Sequence, residues 1–170
     1  VFLDAATPSL TTLHFTYSRY LALGHNFYYS LGLSGQGRLT RRLSYADTRA
    51  LGYSDLVRGY DEYVVDGRHY GLVQQGLSYR LFQPKAIRLQ SIGNPKINTI
   101  PLALYLNTFA DAGYVAASHP IPSNRLPNQF LSAIGLGLHL VTYYDRVFTA
   151  EYTLNGLGQT GYFFRAEFPI

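Results

Sequence analysis

The sequence predicts an all-β chain, an antiparallel sheet of about seven strands with one apolar and one polar face. Three observations carry this. Apolar and polar residues alternate with a period of two in stretch after stretch, which places the two sets on opposite sides of a strand. Short joints and long connections fall at alternate hairpins. Tyr (16) and Phe (10) are plentiful while charged residues make up 14% of the 170 positions, against about 25% in a typical soluble domain. An antiparallel transmembrane β-barrel unites all three, with its aromatic girdles, outward apolar band and loops that are short on one side and long on the other. Alternation does not say which face is inside. A soluble β-sandwich or lipocalin-like barrel therefore stands beside the membrane reading at this point.

The first strand reads from Leu13. Leu13, Phe15, Tyr17, Arg19, Leu21 and Leu23 share one side; His14, Thr16, Ser18, Tyr20 and Ala22 share the other. Arg19 is the misfit, because an arginine facing lipid near mid-bilayer costs about 2–4 kcal/mol. It is expected near an interface or turned inward by a bulge. Gly24-His25 reads as a hairpin joint. Phe27, Tyr29, Leu31 and Leu33 then resume the apolar side against Tyr28, Ser30, Gly32 and Ser34.

From about 39 to 70 no period is sustained, and a connection of that length is usually functional or disordered. Its mixture of glycines, aromatics, one central arginine and several carboxylates predicts an ordered loop. Val73, Gln75, Leu77, Tyr79 and Leu81 form the next strand, and Gly93-Asn94-Pro95-Lys96 is a turn signal. Leu102, Leu104 and Leu106 alternate with Ala103, Tyr105, Asn107, Phe109 and Asp111. Residues 114–128 hold three prolines and read as a second long loop. Ile134, Leu136, Leu138 and Leu140 oppose Ala133, Gly135, Gly137 and His139, and a short turn is expected at 143–146. Phe148, Ala150, Tyr152 and Leu154 oppose Thr149, Glu151, Thr153 and Asn155. After a loop at 155–161, Tyr162, Phe164, Ala166 and Phe168 oppose Phe163, Arg165 and Glu167. Glu151, Arg165 and Glu167 read as groups in a solvated interior, and Asp111, before Ala112-Gly113, as lying at a strand end.

Several function classes find no support. The chain has no Cys, so disulfide frameworks and thiolate metal sites are excluded. Its net charge of +4 comes from scattered basic residues, which argues against a nucleic-acid footprint. No apolar run reaches the roughly 18 residues of a transmembrane helix. The start, Val1-Phe2-Leu3-Asp4, lacks the basic segment of a secretory signal, so a mature product or a fragment is expected. Gly156-Leu157-Gly158-Gln159-Thr160-Gly161 spells the dinucleotide fingerprint, but a strand follows where a helix is needed. The five histidines show no metal-binding spacing, and no serine sits in a nucleophile elbow. The expectation is a non-enzymatic protein without cofactor or metal.

Three separated motifs add a resemblance. Val57-Arg58-Gly59-Tyr60 lies in the first long loop, followed by Val65-Asp66-Gly67. Phe109-Ala110-Asp111-Ala112-Gly113 forms a Phe-x-Asp-x-Gly strand, and Gly135-Leu136-Gly137 lies in the next. Together, in this order, they resemble the BamA/TamA-type outer-membrane assembly factors of the bacterial surface antigen superfamily, over nearly the whole chain. Gly76 departs from that pattern, standing where a Glu is frequent, as does the ending Phe168-Pro169-Ile170.

The resemblance implies that 1–170 is the C-terminal portion of one outer-membrane barrel domain of about sixteen strands. The first half of the barrel and the periplasmic POTRA modules would lie outside this chain, or another chain would complete the barrel. It implies that Val57, Arg58, Gly59 and Tyr60 tuck into the lumen and that Phe109 and Gly113 belong to the strand motif. It implies a closing strand and seam at Gly161, Phe164 and Phe168. Asp111, on the inward register of that motif strand with Gly59 and Gly113 leaving room for close approach, is the expected partner of Arg58; a solvated loop cation and a solvated carboxylate are the alternative. The expected function is folding and inserting other barrel proteins into the bacterial outer membrane. Expected partners are outer-membrane lipids, unfolded client proteins and periplasmic or lipoprotein accessory subunits, with no nucleic acid. A two-partner-secretion type translocation pore and a soluble β-barrel binding module are the alternatives.

Overall fold

The computed structural model describes residues 11–40, 45–83, 87–88, 99–100, 102–118, 124–142 and 146–167. The chain forms a seven-stranded antiparallel sheet in which each strand pairs with the next of the seven in sequence. Its strands are β1 (Thr12–Gly24), β2 (Phe27–Arg38), β5 (His69–Phe82), β8 (Ala103–Ala116), β9 (Phe130–Val141), β10 (Val147–Asn155) and β11 (Thr160–Glu167). Two small antiparallel pairs lie in the connections. In the first long loop β3 (Arg49–Leu51) pairs with β4 (Val65–Asp66), and between β5 and β8 β6 (Ile87–Arg88) pairs with β7 (Thr99–Ile100). No α-helix occurs among the described residues, and β1 and β11 are the two ends of an unclosed sheet.

The expected alternation is built into the pairing register. Asp111 pairs with Gln74 on one side and Ala133 on the other, and Gln74 pairs with Gly32. Residues paired across antiparallel strands share a face, so the polar sets of all seven strands lie on one side. The first long loop lies on that side. The other side exposes large apolar groups along the whole sheet: Leu13 (63%), Ile134 (57%), Leu136 (55%) and Phe164 (81%) are examples. Such a surface far exceeds the scattered apolar residues of an ordinary soluble face.

The β1–β2 turn is tight, with positive φ at Gly24, His25 and Asn26. Elsewhere the boundaries correct the sequence reading. Strand β8 runs on through Tyr114 and Val115 to Ala116, so the second loop starts three residues later than expected. The cause is local: Val115 is fully buried under the first loop while Tyr114 faces out, which continues the two-residue period. Asp111 is accordingly mid-strand rather than at a strand end. The joint between β5 and β8 carries the β6–β7 pair as a separate two-stranded sheet, and the expected turn at 93–96 falls outside the described residues. So do 143–145 and Phe168.

The core is a layer between loop and sheet. Ala50, Leu51, Val57, Tyr60 and Val65 of the first loop pack on Tyr70, Leu72, Val115, Leu131 and Ala133 of β5, β8 and β9, and Leu126 of the second loop joins them. Leu51, Val57, Val65 and Val115 are all but inaccessible. Each fully buried aliphatic side chain stabilises by about 1.5–3 kcal/mol relative to exposure. The loop is thus held by apolar packing as well as by its polar groups.

Candidate functional site: the loop against the sheet

Val57-Arg58-Gly59-Tyr60 closes a β-turn, with the Tyr60 amide donating to the Val57 carbonyl at 3.0 Å. Gly59 takes φ +86°, which the third position of a type II turn demands. A side chain there would also meet Thr153 Oγ1 at 3.1 Å. The turn places Arg58 at its corner and aims it at β8.

Arg58 meets Asp111 as a two-pronged pair. Nε donates to Oδ2 at 2.8 Å and Nη2 to Oδ1 at 2.6 Å, and the Arg58 backbone amide adds a bond of 3.2 Å to Oδ2. The Asp111 side chain is wholly buried, and that of Arg58 is 17% exposed. Charge-assisted forks of this kind are the strong ones, and lysine cannot reproduce their planar geometry. The guanidinium also stacks on Phe109, 3.8 Å from the ring centroid, a cation–π contact.

The glycines of the strand motifs make room for this arrangement. A Cβ on Gly113 would meet Val57 Cγ2 at 2.8 Å, and one on Gly135 would meet the Phe109 ring at 2.3 Å. Gly137 does the same for the stem of Glu151, at 2.9 Å. In Phe-x-Asp-x-Gly, the ring stacks, the carboxylate accepts and the glycine seats the loop.

Glu151 and Arg165 correct the expectation of a solvated interior. Glu151 is 5% exposed. Arg165 bridges it to Asp61, which ties β10 and β11 back to the loop. Glu151 Oε1 lies 3.8 Å from Arg58 Nη1 and 3.5 Å from His139 Nε2. Asn107 approaches His139 at 3.3 Å and accepts from Ser78 at 3.1 Å. Burial of these charges is what forces the pairing, since an uncompensated buried charge is strongly destabilising. The side chain of Glu167 lies outside the described residues.

A second anchor holds the loop three residues earlier. Asp55 accepts from the Tyr70 hydroxyl at 2.6 Å and from Ser34 at 3.2 Å, with His14 Nε2 3.6 Å away. Gln74 donates to the Leu56 carbonyl at 3.1 Å. At the loop base, buried Arg38 donates to the carbonyls of Gly67 and Arg49. At the far side Asn155 donates to the Gly59 carbonyl at 3.0 Å. Tyr60 is buried beside Ser132 and Gly156, and its burial pushes the hydroxyl above the usual tyrosine range, which keeps it neutral.

The structure therefore brings Val57, Arg58, Gly59, Tyr60, Phe109, Asp111 and Gly113 into one contact. Gly161 and Phe164 stand apart from it on β11. Phe164 faces outward, and Gly161 borders a small cleft between the loop and the β10–β11 hairpin. A larger cleft of about 490 Å³ lies beside the loop, lined by residues of β1, β2, β5, β9, β10 and β11 including Ser18, Thr149 and Arg165. Sequence reasoning missed Asp55 and Asp61, whose partners lie on strands of the sheet, and Arg38, whose partners are main-chain carbonyls of the loop itself. Arg165 and Glu151 were findable, because both fall on the polar side of paired strands. Among the described residues no group of His, Cys, Asp or Glu could hold a metal ion.

Compared with protein-family models, curated proteins and solved structures, the chain matches none of them.

Proposed function

We propose that the chain is the C-terminal part of a transmembrane β-barrel of the bacterial outer membrane that folds and inserts other barrel proteins. One observation carries the membrane reading. The side of the sheet away from the loop exposes large apolar and aromatic side chains from every strand, while the charged and amide groups of the sheet, Arg19 and Gln75 apart, gather on the loop side. Lipid-facing barrels have this distribution, with a polar interior. The two free edges at β1 and β11 support completion by further strands, since unpaired backbone groups do not persist in hydrocarbon.

The assembly role is supported by the Val-Arg-Gly-Tyr turn, seated on Asp111 and Phe109, since the motif resemblance implies that this loop folds inward. An open or weakly paired edge offers an incoming strand backbone groups to pair with. No catalytic group is required for this work.

The test is reconstitution. Vesicles carrying the whole protein should speed the insertion of an unfolded client barrel over empty vesicles, and Arg58→Ala should reduce the gain. Equal insertion with and without the protein would refute the assembly role. The cleft beside the loop favours a second reading, a polypeptide translocation pore. Bilayer conductance that rises in Arg58→Ala while client insertion is unaffected would favour it.

A further inference from the structure

We infer that the outward side of β1, β2 and β5 binds the phosphate of an anionic glycerophospholipid, with Arg19 at its centre. The inference rests on the membrane reading above and gives that surface a ligand class. Arg19 is exposed on the apolar side, in register with Leu31 and, one strand further, Gln75. Among the described residues, the outward positions of the seven-stranded sheet hold no other arginine or lysine and no carboxylate. Arg19 itself makes no ion pair or hydrogen bond with any described side chain. A guanidinium on an apolar surface needs an anion, and the described residues supply none there.

The surroundings suit phosphate. Tyr29, diagonal to Arg19 in the β1–β2 register, donates its hydroxyl to Gln75 Oε1 at 2.8 Å. That bond occupies the oxygen of the Gln75 amide and leaves its N–H groups to donate. A guanidinium fork meets two phosphate oxygens at once, and the amide offers a third donor. Depth agrees as well. The Phe27 and Tyr79 rings, 4.7 Å apart, lie two outward rows from Arg19 towards the short β1–β2 turn. Aromatic rings of this kind sit at the membrane interface. An arginine stem lying along the apolar sheet carries its charge towards that level. The occupant is therefore a lipid of the leaflet on the short-turn side.

The experiment uses the whole protein extracted in maltoside micelles doped with phosphatidylglycerol or with uncharged diacylglycerol. Native mass spectrometry reads the lipid retained. Phosphatidylglycerol should stay bound to the natural protein, and Arg19→Gln should retain about fivefold less, the scale of one cation at an anionic lipid surface. Gln75→Leu should weaken retention to a smaller degree, and Arg19→Lys should keep part of it. Diacylglycerol retention should not respond to these changes, and free inorganic phosphate should not displace the lipid. Equal phosphatidylglycerol retention by the natural protein and Arg19→Gln would overturn the site. So would loss of a co-purifying acidic protein in Arg19→Gln with lipid retention unchanged. Insertion into phosphatidylcholine vesicles, read as protease protection, is followed on the same samples. If the proteins insert but phosphatidylglycerol retention is indifferent to Arg19, the lipid site fails and the barrel reading stands. If the natural protein does not insert, both fail.

Discussion

The Arg58 guanidinium lies 3.8 Å above the Phe109 ring while it donates to both oxygens of Asp111, two residues further along the same strand. One face of the cation is covered by π-density and its edge by a carboxylate. The pair is consequently shielded from solvent without leaving a charge uncompensated.

Breaking it should be expensive. Asp111→Ala leaves a nearly buried guanidinium without its acceptor, and removing one member of a buried pair costs about 3–5 kcal/mol. Arg58→Ala should open the loop to protease, and Asp111→Ala should do the same. In a double-mutant cycle read by urea unfolding in detergent, the double variant should cost clearly less than the sum of the singles. Additive losses would show that the two side chains do not stabilise one another.

Gly135 is expected to act through Phe109. A methyl group there meets the ring at 2.3 Å and the Tyr152 carbonyl oxygen of β10 at 2.5 Å, and overpacking typically costs about 1–3 kcal/mol. Gly135→Ala should therefore reproduce the loop opening of Arg58→Ala, although it touches no loop residue. Gly71→Ala, which meets nothing within 4 Å, is the control and should be silent. Equal protease sensitivity of the two alanine variants would refute the wedge argument.

The two faces of the sheet should differ in their tolerance of charge. Leu136→Arg places a cation on the apolar side and should cost about 2–4 kcal/mol if that position is near the bilayer midplane. Ser18→Arg projects into the polar cleft beside the loop and should be tolerated. Gly137 is a poor comparison, because any side chain there strikes Glu151. Matching unfolding midpoints for the two variants would contradict a lipid-facing outer surface.

Loop length predicts topology. The long connections should lie outside the cell and the turn at Gly24–Asn26 on the periplasmic side. A cysteine replacing exposed Ser54 should react with an impermeant reagent on whole cells, and one replacing His25 should react only after lysis. The opposite labelling would invert the assignment.

The strands were legible because their two-residue period survives nearly unbroken. Ile134, Leu136 and Leu138 can face only one way once Ala133 and Gly135 face the other. Arg58, Asp111, Phe109 and Gly113 were legible through motif order. Several of the remaining contacts were hidden because they join residues far apart in sequence with no motif to pair them. Asp61 and Arg165 are 104 residues apart, and Tyr63 and Gln159 are 96 apart. No local pattern announces such pairs. The burial of Glu151 was misread for the same reason: alternation assigns a side of the sheet, but only the folded loop decides whether that side is wet.

Asp55 fastens the loop to β2 and β5, and Arg58 fastens it to β8 and, through the Gln75 carbonyl, to β5. Three residues of chain span at most about 10 Å even when fully drawn out. The segment Leu56-Val57 is therefore a short tether with its ends fixed on separate strands. If the sheet widens or flattens, the tether reaches its limit before the strands part, and the weaker fastening lets go first. Asp55 holds by single hydrogen bonds and Arg58 by a buried fork. Release at Asp55 would leave the loop held by the Arg58 fork and by the Gln74 bond to the Leu56 carbonyl, so the strain passes to those contacts next.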